Sequence, residues 1–418
     1  MSAFDKIIGY EAVKKELRQL CDIIHNMDVY KKMGAKMPKG LLLDGAPGLG
    51  KTLMAQALIE ESGVSSFILR RSKGDGDFIR EIEATFDKAI ESAPAIILLD
   101  DLDKFAKSDD SDEEFSVVQA CIDKVKEADV FVIATTNKSN SFPHSLIRSG
   151  RFDRRLRICS PTGEEARQII SYYLEGKPLV DDVNVDDVSK MLKGSSCAKL
   201  ETVINEAAVH AAYERCDKIK MEHIIKAILR DMYDSLIDDP LSERELREVA
   251  YHEAGHAAIT EIIKEGSVGM VSINTNKSST SGFVHKCKEL ERRPHQILAT
   301  LGGKAGAELK FGRVASGTRT DLSRATYLIE EGLTETGTMG NYVLEAGGCS
   351  QSPTILANIE LLVHAKLDEF LLKAKELLCS NMGFFTEIAE QLLEKQVLLA
   401  SDVKRIRQKH TIVGIDML

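Results

Sequence analysis

The sequence predicts an α/β fold with a doubly wound parallel sheet, followed by a helical region. Three short apolar runs, at 41–43, 95–99 and 130–134, are typical of buried strands. Helical patterns separate these runs, and such alternation is typical of a parallel sheet that binds its ligand at the carboxyl ends of the strands. Residues 162–235 are helical by pattern and contain no strong strand signal.

The composition is that of an ordinary globular protein and argues against some functions. At 418 residues the chain is long enough for two or three domains. Its formal net charge of −10 argues against a general nucleic-acid binder. Eight scattered cysteines without a C-x-x-C pair are typical of free thiols in a reducing compartment. The sequence shows no signal peptide and no apolar run approaching about 18 residues, so we expect a cytoplasmic chain without a membrane span.

The first elements lead into a phosphate-binding loop. An amphipathic helix is predicted over 11–33, and the strand at 41–43 runs into G-x-x-x-x-G-K-T at 45–52, a Walker A loop. Its glycines let backbone N–H groups turn inward around phosphate oxygens at a helix N-terminus, whereas the alternative is a plain glycine-rich turn. Lys51 is expected to reach the β- and γ-phosphates of ATP, and Thr52 to help hold Mg²⁺. The other residues expected to line the nucleotide are Pro47, Gly48, Leu49, Gly50 and Leu53.

Polar residues follow the next two strands. Asp100 and Asp101 come directly after the run at 95–99, which is the Walker B pattern, and Asp100 is expected to hold the Mg²⁺ shell. Asn137 follows the third run, where a polar amide can position the attacking water. The sequence therefore predicts a site for ATP and Mg²⁺ at the carboxyl edge of the sheet.

A second kind of site is predicted on a helix within 241–266. The S-x-x-E pattern at 242–245 is a capping box that begins this helix. His252 and His256 are four residues apart, so they lie on one face and can share a Zn²⁺ ion. Glu253 is rotated about 100° from His252, so it can reach an attacking water as general base without ligating the metal. The alternative is a pair of satisfied core histidines.

Further motifs give the chain a family resemblance. The segment GRFDR at 150–154 and the helical stretch at 203–212, with both Walker motifs and Asn137, resemble an AAA+ ATPase module. With AYHEAGHA at 250–257, residues 4–407 resemble the FtsH-type AAA+ zinc proteases. The resemblance covers nearly the full length, and the joint occurrence of these motifs is highly specific.

The resemblance implies three domains. These are an AAA+ P-loop ATPase at 1–160, its helical lid at 161–238, and a mainly α-helical zinc peptidase at 239–418. It also implies a homo-hexameric ring that hydrolyses ATP between neighbouring subunits and feeds polypeptide substrates to zinc sites in a chamber. The implied cofactors are Zn²⁺ and ATP with Mg²⁺. The segments that match peptidase helices are 297–311, 359–378 and 384–395.

Several ATPase residues take their roles from the resemblance alone. Asn137 matches the position that senses the γ-phosphate. Arg151 and Arg154 match the arginines that are donated into the neighbouring subunit's site, where an arginine finger neutralises charge on the transferred phosphoryl group. The alternative is that either arginine pairs locally, with Asp153 or Asp101.

The third zinc ligand is implied in the same way. A catalytic zinc needs a third protein ligand and an open position, but spacing alone does not identify that ligand. The family's ligand aspartate matches Asp321, which lies 65 residues after His256 (321 − 256). The alternative is a plain helix N-cap before 322–331. Gly9 matches the family's adenine-edge segment.

The sequence departs from the family in four places. The family begins with membrane spans, whereas this sequence starts at the ATPase. We therefore do not expect the access to membrane substrates that those spans imply for the family. Asp101 replaces the Walker B glutamate, and its shorter side chain must still come within about 2.6–3.2 Å of the attacking water. Gly-Asp-Gly at 74–76 replaces the apolar pore loop, with Phe78 as the candidate substitute. The acidic run at 108–114 either alters communication between subunits or is a solvated loop.

Three functions stay open on these residues. The first is an ATP-dependent zinc endopeptidase that degrades cytosolic polypeptides, with Glu253 as general base. The second is a zinc peptidase whose ATPase only assembles or gates a ring without strong unfolding. The third is a non-proteolytic AAA+ remodeller. We expect the first, because the two histidines, the glutamate and the matching aspartate of the zinc site are all present.

Overall fold

The two predicted sites lie in different parts of the fold. A computed structural model of the chain describes residues 2–36, 38–71, 75–105, 113–138, 142, 146, 150–233, 241–273, 282–313, 318–339 and 353–415. It divides into a first unit of residues 1–185 and 192–231 and a second unit of residues 186–191 and 232–418. The further division of the first unit at residue 160 into an ATPase core and a helical lid stays a prediction.

The first unit is built on a parallel sheet. Its described strands are β1 (Gly40–Asp44), β2 (Ser65–Leu69), β3 (Ala95–Leu99), β4 (Val130–Thr136) and β5 (Arg154–Arg157). Among the described residues they form a five-stranded sheet in the order β2-β3-β4-β1-β5. Its described helices are α1 (Glu11–His25), α2 (Met27–Lys32), α3 (Lys51–Ser62), α4 (Asp75–Glu91), α5 (Glu113–Lys124), α6 (Gly163–Leu174), α8 (Cys197–Tyr213) and α9 (Met221–Tyr233), and α7 (Val185–Met191) falls almost wholly in the second unit.

The central strands are the predicted apolar runs, and their register positions the first site. Every residue of β1, β3 and β4 is buried, as a strand covered on both faces requires. All pairings are parallel, with Asp44 opposite Thr136 and Leu99 opposite Ala134. The carboxyl ends of these three strands therefore meet at one edge, which places Asp100 and Asn137 beside the loop that follows β1.

The second unit is mainly helical. Its elements are α10 (Glu243–Ile263), β6 (Val268–Ser272), β7 (Phe283–Lys286), α11 (Arg293–Phe311), α12 (Thr318–Thr334), α13 (Pro353–Ser380), α14 (Met382–Lys395), β8 (Val397–Leu399) and α15 (Ala400–Gln408). In the described part, β7, β6 and β8 form a small antiparallel sheet. Helix α10 is nearly enclosed, and an added Cβ at Gly255 would lie 2.1 Å from the carbonyl oxygen of Gly302. The backbones of α10 and α11 are therefore in direct contact, which brings α11 close to the two histidines.

The structure confirms the predicted helices with one correction. The capping box of Ser242 and Glu245 is present at the start of α10. The helix predicted over 11–33 is instead two helices, because Asn26 leaves the helical region (φ −117°, ψ 34°). Its side-chain amide donates to Asp22 Oδ1 at 2.8 Å, a local bond that competes with helix continuation. Within the described residues, no helix combines the length and apolarity that crossing a membrane requires.

Candidate nucleotide and metal sites

The loop between β1 and α3 has the backbone that phosphate binding requires. Gly48 and Gly50 have φ values of +76° and +83°, which side chains other than glycine rarely adopt. Pro47 and Gly48 are exposed, whereas Leu49 is buried beneath the loop. Gly50 immediately precedes α3, so the loop ends at a helix N-terminus, where backbone N–H groups favour anions.

Lys51 holds this loop closed on itself. Its ammonium donates to the carbonyl oxygens of Gly45 and Ala46 and to Asn137 Oδ1, each at 2.8 Å. Burial lowers the pKa of Lys51, while the surrounding aspartates oppose that shift. The ammonium and the amide of Asn137 are thus brought together at the mouth of the loop, where a phosphate chain would lie.

Asp100 is the buried carboxylate of this site. It is 1% exposed, and its Oδ1 accepts hydrogen bonds from the hydroxyls of Thr52 at 2.8 Å and Thr135 at 2.7 Å. Burial by itself would raise the pKa of Asp100, but hydrogen bonds from Arg70, Thr135 and Thr52 together hold that pKa below its usual value. A carboxylate beside a threonine hydroxyl is an oxygen donor set that suits Mg²⁺.

Asp101 and Asn137 are each held by neighbours. Asp101 has a left-handed backbone (φ 57°), its N–H donates to Thr135 Oγ1 at 2.8 Å, and Lys104 lies 2.7 Å from its carboxylate. The Asn137 N–H donates to Asp103 Oδ1 at 3.0 Å. The strand ends therefore present an acid and an amide beside Asp100, as the sequence predicted.

The two candidate finger arginines differ in their surroundings. Arg151 is 6% exposed and bonds to both carboxylate oxygens of Asp123, at 3.1 and 2.7 Å, and to Gln119 at 2.9 Å. Local pairing therefore occurs for Arg151, but with residues of α5 rather than with Asp153 or Asp101. Arg154 is exposed, and its guanidinium lies 3.8 Å from the carboxylate of Glu16.

Gly9 lies beside an apolar cavity next to the phosphate loop. Its φ is +71°, and an added Cβ would lie 3.1 Å from the side chain of Glu165. Its neighbours Ile8 and Tyr10 line the cavity, whereas Gly9 itself does not. The other apolar or aromatic lining residues include Ile7, Leu49, Leu53, Met54, Ile169 and Tyr173. A flat apolar group joined to a phosphate chain fits such a position.

The expected pore-loop substitute is not available. Gly74 and the acidic run up to residue 112 lie outside the described residues, and Asp75 and Gly76 begin α4. Phe78 is 0% exposed and packs edge-on against Phe105, with 4.9 Å between ring centroids. The expectation that Phe78 grips substrate is therefore wrong, because its ring is part of the core.

The second unit brings three candidate metal ligands together. His252 Nε2 and His256 Nε2 are 3.1 Å apart, and each lies 3.1 Å from Asp321 Oδ2. Four ligands at 2.0–2.1 Å around a tetrahedral Zn²⁺ are about 3.3–3.4 Å apart, so this triangle is close to one face of such a tetrahedron. Asp321 lies in the first turn of α12, which begins at Thr318, so the alternative of an N-cap is wrong.

The surroundings orient these ligands. His256 Nδ1 lies 2.8 Å from the carbonyl oxygen of Ala299, so it carries the proton and leaves Nε2 free to ligate. Burial by itself would raise the pKa of Asp321, but its contacts with His252 and His256 hold that pKa well below the usual range. An added Cβ at Gly303 would lie 2.3 Å from His256 Nε2 and 2.5 Å from His252 Nε2. These residues fit Zn²⁺, and only glycine at 303 leaves room for it.

Glu253 lies next to this triangle in a nearly closed environment. Its side chain is 3% exposed, and burial raises its pKa to about 7 although His252 opposes that shift. An added Cβ at Gly282 would lie 2.6 Å from its Cγ, so the start of β7 closes over it. A carboxyl group with a pKa near the working pH can both accept and return a proton.

A second group of possible ligands is a structural network instead. Glu214, Cys216 and His223 present donor atoms within 4.8 Å of one another. However, His223 Nδ1 accepts the N–H of Lys220 at 3.0 Å, so its proton is on Nε2, which faces Glu214 at 3.3 Å. Nε2 therefore has no lone pair for a metal. Lys226 already neutralises Glu214 at 2.8 Å.

The fold and the two sites define the chain as an AAA-type ATPase joined to a zinc peptidase. Residues 41–160 match the model of the ATPase family associated with various cellular activities (AAA), and residues 239–406 match that of peptidase family M41. The chain belongs to the FtsH family of ATP-dependent zinc metalloproteases, whose cofactors are Zn²⁺ and ATP with Mg²⁺.

Individual relatives match over different shares of their length. The ATP-dependent zinc metalloprotease FtsH of Lachnoclostridium phytofermentans is 30% identical over 97% of this chain and 74% of its own. FtsH 2 of a Thermoanaerobacter species is 30% identical over 96% of this chain and 82% of its own. FtsH 2 of Sphaerobacter thermophilus is 33% identical over 77% of this chain, and the match spans 53% of that protein.

Proposed function

We propose that this chain is an ATP-dependent zinc endopeptidase that degrades polypeptide substrates. The observation that carries the proposal is the triangle of His252, His256 and Asp321 with 3.1 Å edges, beside a Glu253 that is 3% exposed. A structural pair of histidines needs neither the third ligand nor the buried acid. The family membership supports the same activity.

The peptidase chemistry assigns one role to each of these side chains. His252, His256 and Asp321 would hold Zn²⁺, which supplies a Lewis acid for the scissile carbonyl and acidifies water. Glu253 takes a proton from the attacking water and returns it to the leaving amine. Burial of Glu253 keeps the proton transfer away from bulk solvent.

We give the ATPase residues the roles that the family resemblance implies, and the geometry of the first unit supports them. Lys51 would contact the β- and γ-phosphates of bound ATP, and Thr52 with Asp100 would hold Mg²⁺. Asn137 senses the γ-phosphate, and Asp101 orients the attacking water. Residues 47–50 with Leu53 surround the nucleotide, while Gly9 lets the chain turn at the adenine edge.

Assembly and location are also part of the proposal. We infer a homo-hexameric ring in which Arg154 and Arg151 face the neighbouring subunit's nucleotide. Arg154 is the stronger candidate, because its side chain is 45% exposed while that of Arg151 is 7% exposed. We infer a cytoplasmic location from the seven free cysteines of the described residues, which suit a reducing compartment.

The two alternative functions are not favoured. A non-proteolytic remodeller does not need three intact zinc ligands, and the match to peptidase family M41 covers the whole zinc site. An ATPase that only gates the ring was suggested by Asp101 and by Gly-Asp-Gly at 74–76, but the named relatives are ATP-dependent zinc metalloproteases, which supports the first function.

Casein degradation tests the proposed function. Wild-type protein with zinc and ATP is expected to cleave casein, and a zinc chelator is expected to stop cleavage while ATP still binds. Lys51→Ala is expected to lower ATP-driven cleavage by about 10²–10³-fold, the usual cost of removing one preorganised charge contact. Lys124→Ala, which removes an exposed lysine paired with Asp87, is the matched control. Casein cleavage that persists with the chelator would exclude a zinc peptidase.

Proteolysis is expected to rise with pH as Glu253 loses its proton. The base acts as a carboxylate, and burial holds its pKa at about 7 in the zinc-free site. A bound cation favours the carboxylate, so the half-maximal rate is expected at or below pH 7. Initial rates between about pH 5 and about pH 8.5, compared with ATPase rates in the same buffers, measure this limb. A rate that falls as the pH rises over the acid half of that range contradicts Glu253 as base.

A further inference from the structure

An arginine side chain binds the same carboxylate that we propose as part of the magnesium site. Arg70 follows β2 directly, and Asp100 follows β3 directly. Because Leu69 pairs with Leu99 in the parallel register, Arg70 and Asp100 lie side by side. Arg70 Nε donates to Asp100 Oδ2 at 3.1 Å, and a second guanidinium nitrogen contacts the same oxygen more closely.

The neighbouring arginine anchors the strand end from the other side. The Arg71 guanidinium bonds to the carbonyl oxygen of Phe105, lies 3.3 Å from Glu114, and stands 5.6 Å from the ring centroid of Phe78. The Arg71 side chain is 10% exposed, so its contacts fix the position of the backbone just after β2. Successive side chains of an extended chain point to opposite faces, which directs Arg70 toward Asp100.

Protein side chains donate hydrogen bonds to both carboxylate oxygens of Asp100. Thr52 and Thr135 donate to Oδ1, and Arg70 donates to Oδ2. The Arg70 side chain is 63% exposed whereas that of Asp100 is 1% exposed. The arginine therefore has solvent to move into, while the carboxylate is fixed in place.

A second cation at this carboxylate must compete with the first. Mg²⁺ requires near-octahedral oxygen ligation and keeps several waters. A guanidinium bound to Asp100 Oδ2 occupies the space that the ion and its waters need at that oxygen. The other acids of the site do not offer Arg70 an equivalent partner, since Lys104 is 2.7 Å from Asp101 and Arg155 is 2.8 Å from Asp44. Release of Arg70 therefore costs a charge-assisted hydrogen bond.

We propose that Arg70 is a built-in counter-cation of Asp100: Arg70 binds this carboxylate in the nucleotide-free protein and must leave it when Mg²⁺ binds with nucleotide. The inference rests on the proposed site for ATP and Mg²⁺. Arg70 then acts as an autoinhibitory contact, because it raises the Mg²⁺ concentration that nucleotide binding requires. It also stabilises a buried charge when no ligand is present.

The Mg²⁺ dependence of nucleotide binding tests this role. Fluorescently labelled ADP is titrated into the full chain with a chelator and then over a series of Mg²⁺ concentrations. In Arg70→Ala and Arg70→Gln, the half-saturating Mg²⁺ concentration is expected to fall by about three- to tenfold, as loss of a largely exposed charged bond allows. Affinity for the labelled ADP in chelator is expected to stay within about twofold of wild type. Arg70→Lys, which keeps the charge, is expected to lie between wild type and alanine.

A matched control and a stability measurement separate this role from a general charge effect. Arg80→Ala removes another exposed arginine, paired with Asp77 at 3.7 Å on α4. It is expected to leave the Mg²⁺ dependence unchanged. Arg70→Ala is expected to lower the Tm of the empty protein and to enlarge the Tm increase produced by Mg²⁺ with ADP, because the lost bond exists only in the empty state.

Two results would overturn the inference. One is an unchanged or higher half-saturating Mg²⁺ concentration in Arg70→Ala and Arg70→Gln. The other is an equal decrease in Arg80→Ala. Neither result depends on ATP hydrolysis or proteolysis. The proposed function fails on separate observations, namely the absence of nucleotide binding or of ATP-driven casein cleavage in the wild type.

Discussion

Replacing Glu253 with glutamine is expected to reduce casein cleavage by about 10²–10⁴-fold, the usual contribution of a positioned general base. Glutamine has nearly the same size as glutamate, so the pocket around this 3% exposed side chain stays filled. The amide cannot accept a proton from water at neutral pH. Zinc content and ATP hydrolysis are expected to match wild type, because Glu253 is not one of the three clustered ligands.

The matched control for this change is Glu243→Gln. Glu243 is an exposed glutamate at the start of the same helix, so its substitution makes the same chemical change away from the metal. Cleavage products are quantified by gel and by release of labelled peptides, with bound zinc measured on the same sample. Cleavage at the wild-type rate in purified Glu253→Gln would refute the assigned base.

Replacing Gly303 with alanine is expected to remove zinc from the protein and proteolysis with it. The added Cβ would lie 2.3 Å from His256 Nε2 and 2.5 Å from His252 Nε2, far inside van der Waals contact. Helix α11 also packs in a common core with residues of α12 and α13, which opposes its movement away from α10. The ligand rings must therefore turn away, and zinc affinity is expected to fall by at least about 10–100-fold.

Metal analysis and circular dichroism together measure this effect. Gly414→Ala is the control, because an added Cβ there meets no atom within 4 Å. Zinc is expected to be substoichiometric in Gly303→Ala and stoichiometric in Gly414→Ala, with similar helical signals in both. A Gly303→Ala protein that keeps stoichiometric zinc would show that the histidine rings do not occupy the positions described.

In the parallel sheet, the strands missed by sequence patterns lie at its two edges. Strand β2 is mostly exposed, and β5 is the charged segment RRLR, so neither shows the apolar run that identifies a buried strand. The central strands β1, β3 and β4 were predicted because each is buried throughout. The contact of Arg70 with Asp100 was missed together with β2, since it depends on β3 being the strand that lies beside β2.

The candidate site shows the same division between local and distant information. The spacing of His252 and His256, the glycines of the phosphate loop and the acids after β3 are local patterns. Asp321 required a family resemblance, because 65 residues separate it from His256. Gly303 and the contact of Arg151 with Asp123 had no recognisable signal at all.

The sequence by itself determined the two chemistries of this protein and the parallel sheet that carries one of them. Those features arise from interactions within a few residues, such as helical spacing, turn conformation and runs of buried side chains. Only the tertiary structure decided that Asp321 lies 3.1 Å from both histidines, that Phe78 belongs to the core and that Arg70 binds Asp100. Such contacts join residues far apart in the chain, and they follow from how helices and strands pack rather than from any neighbouring pattern.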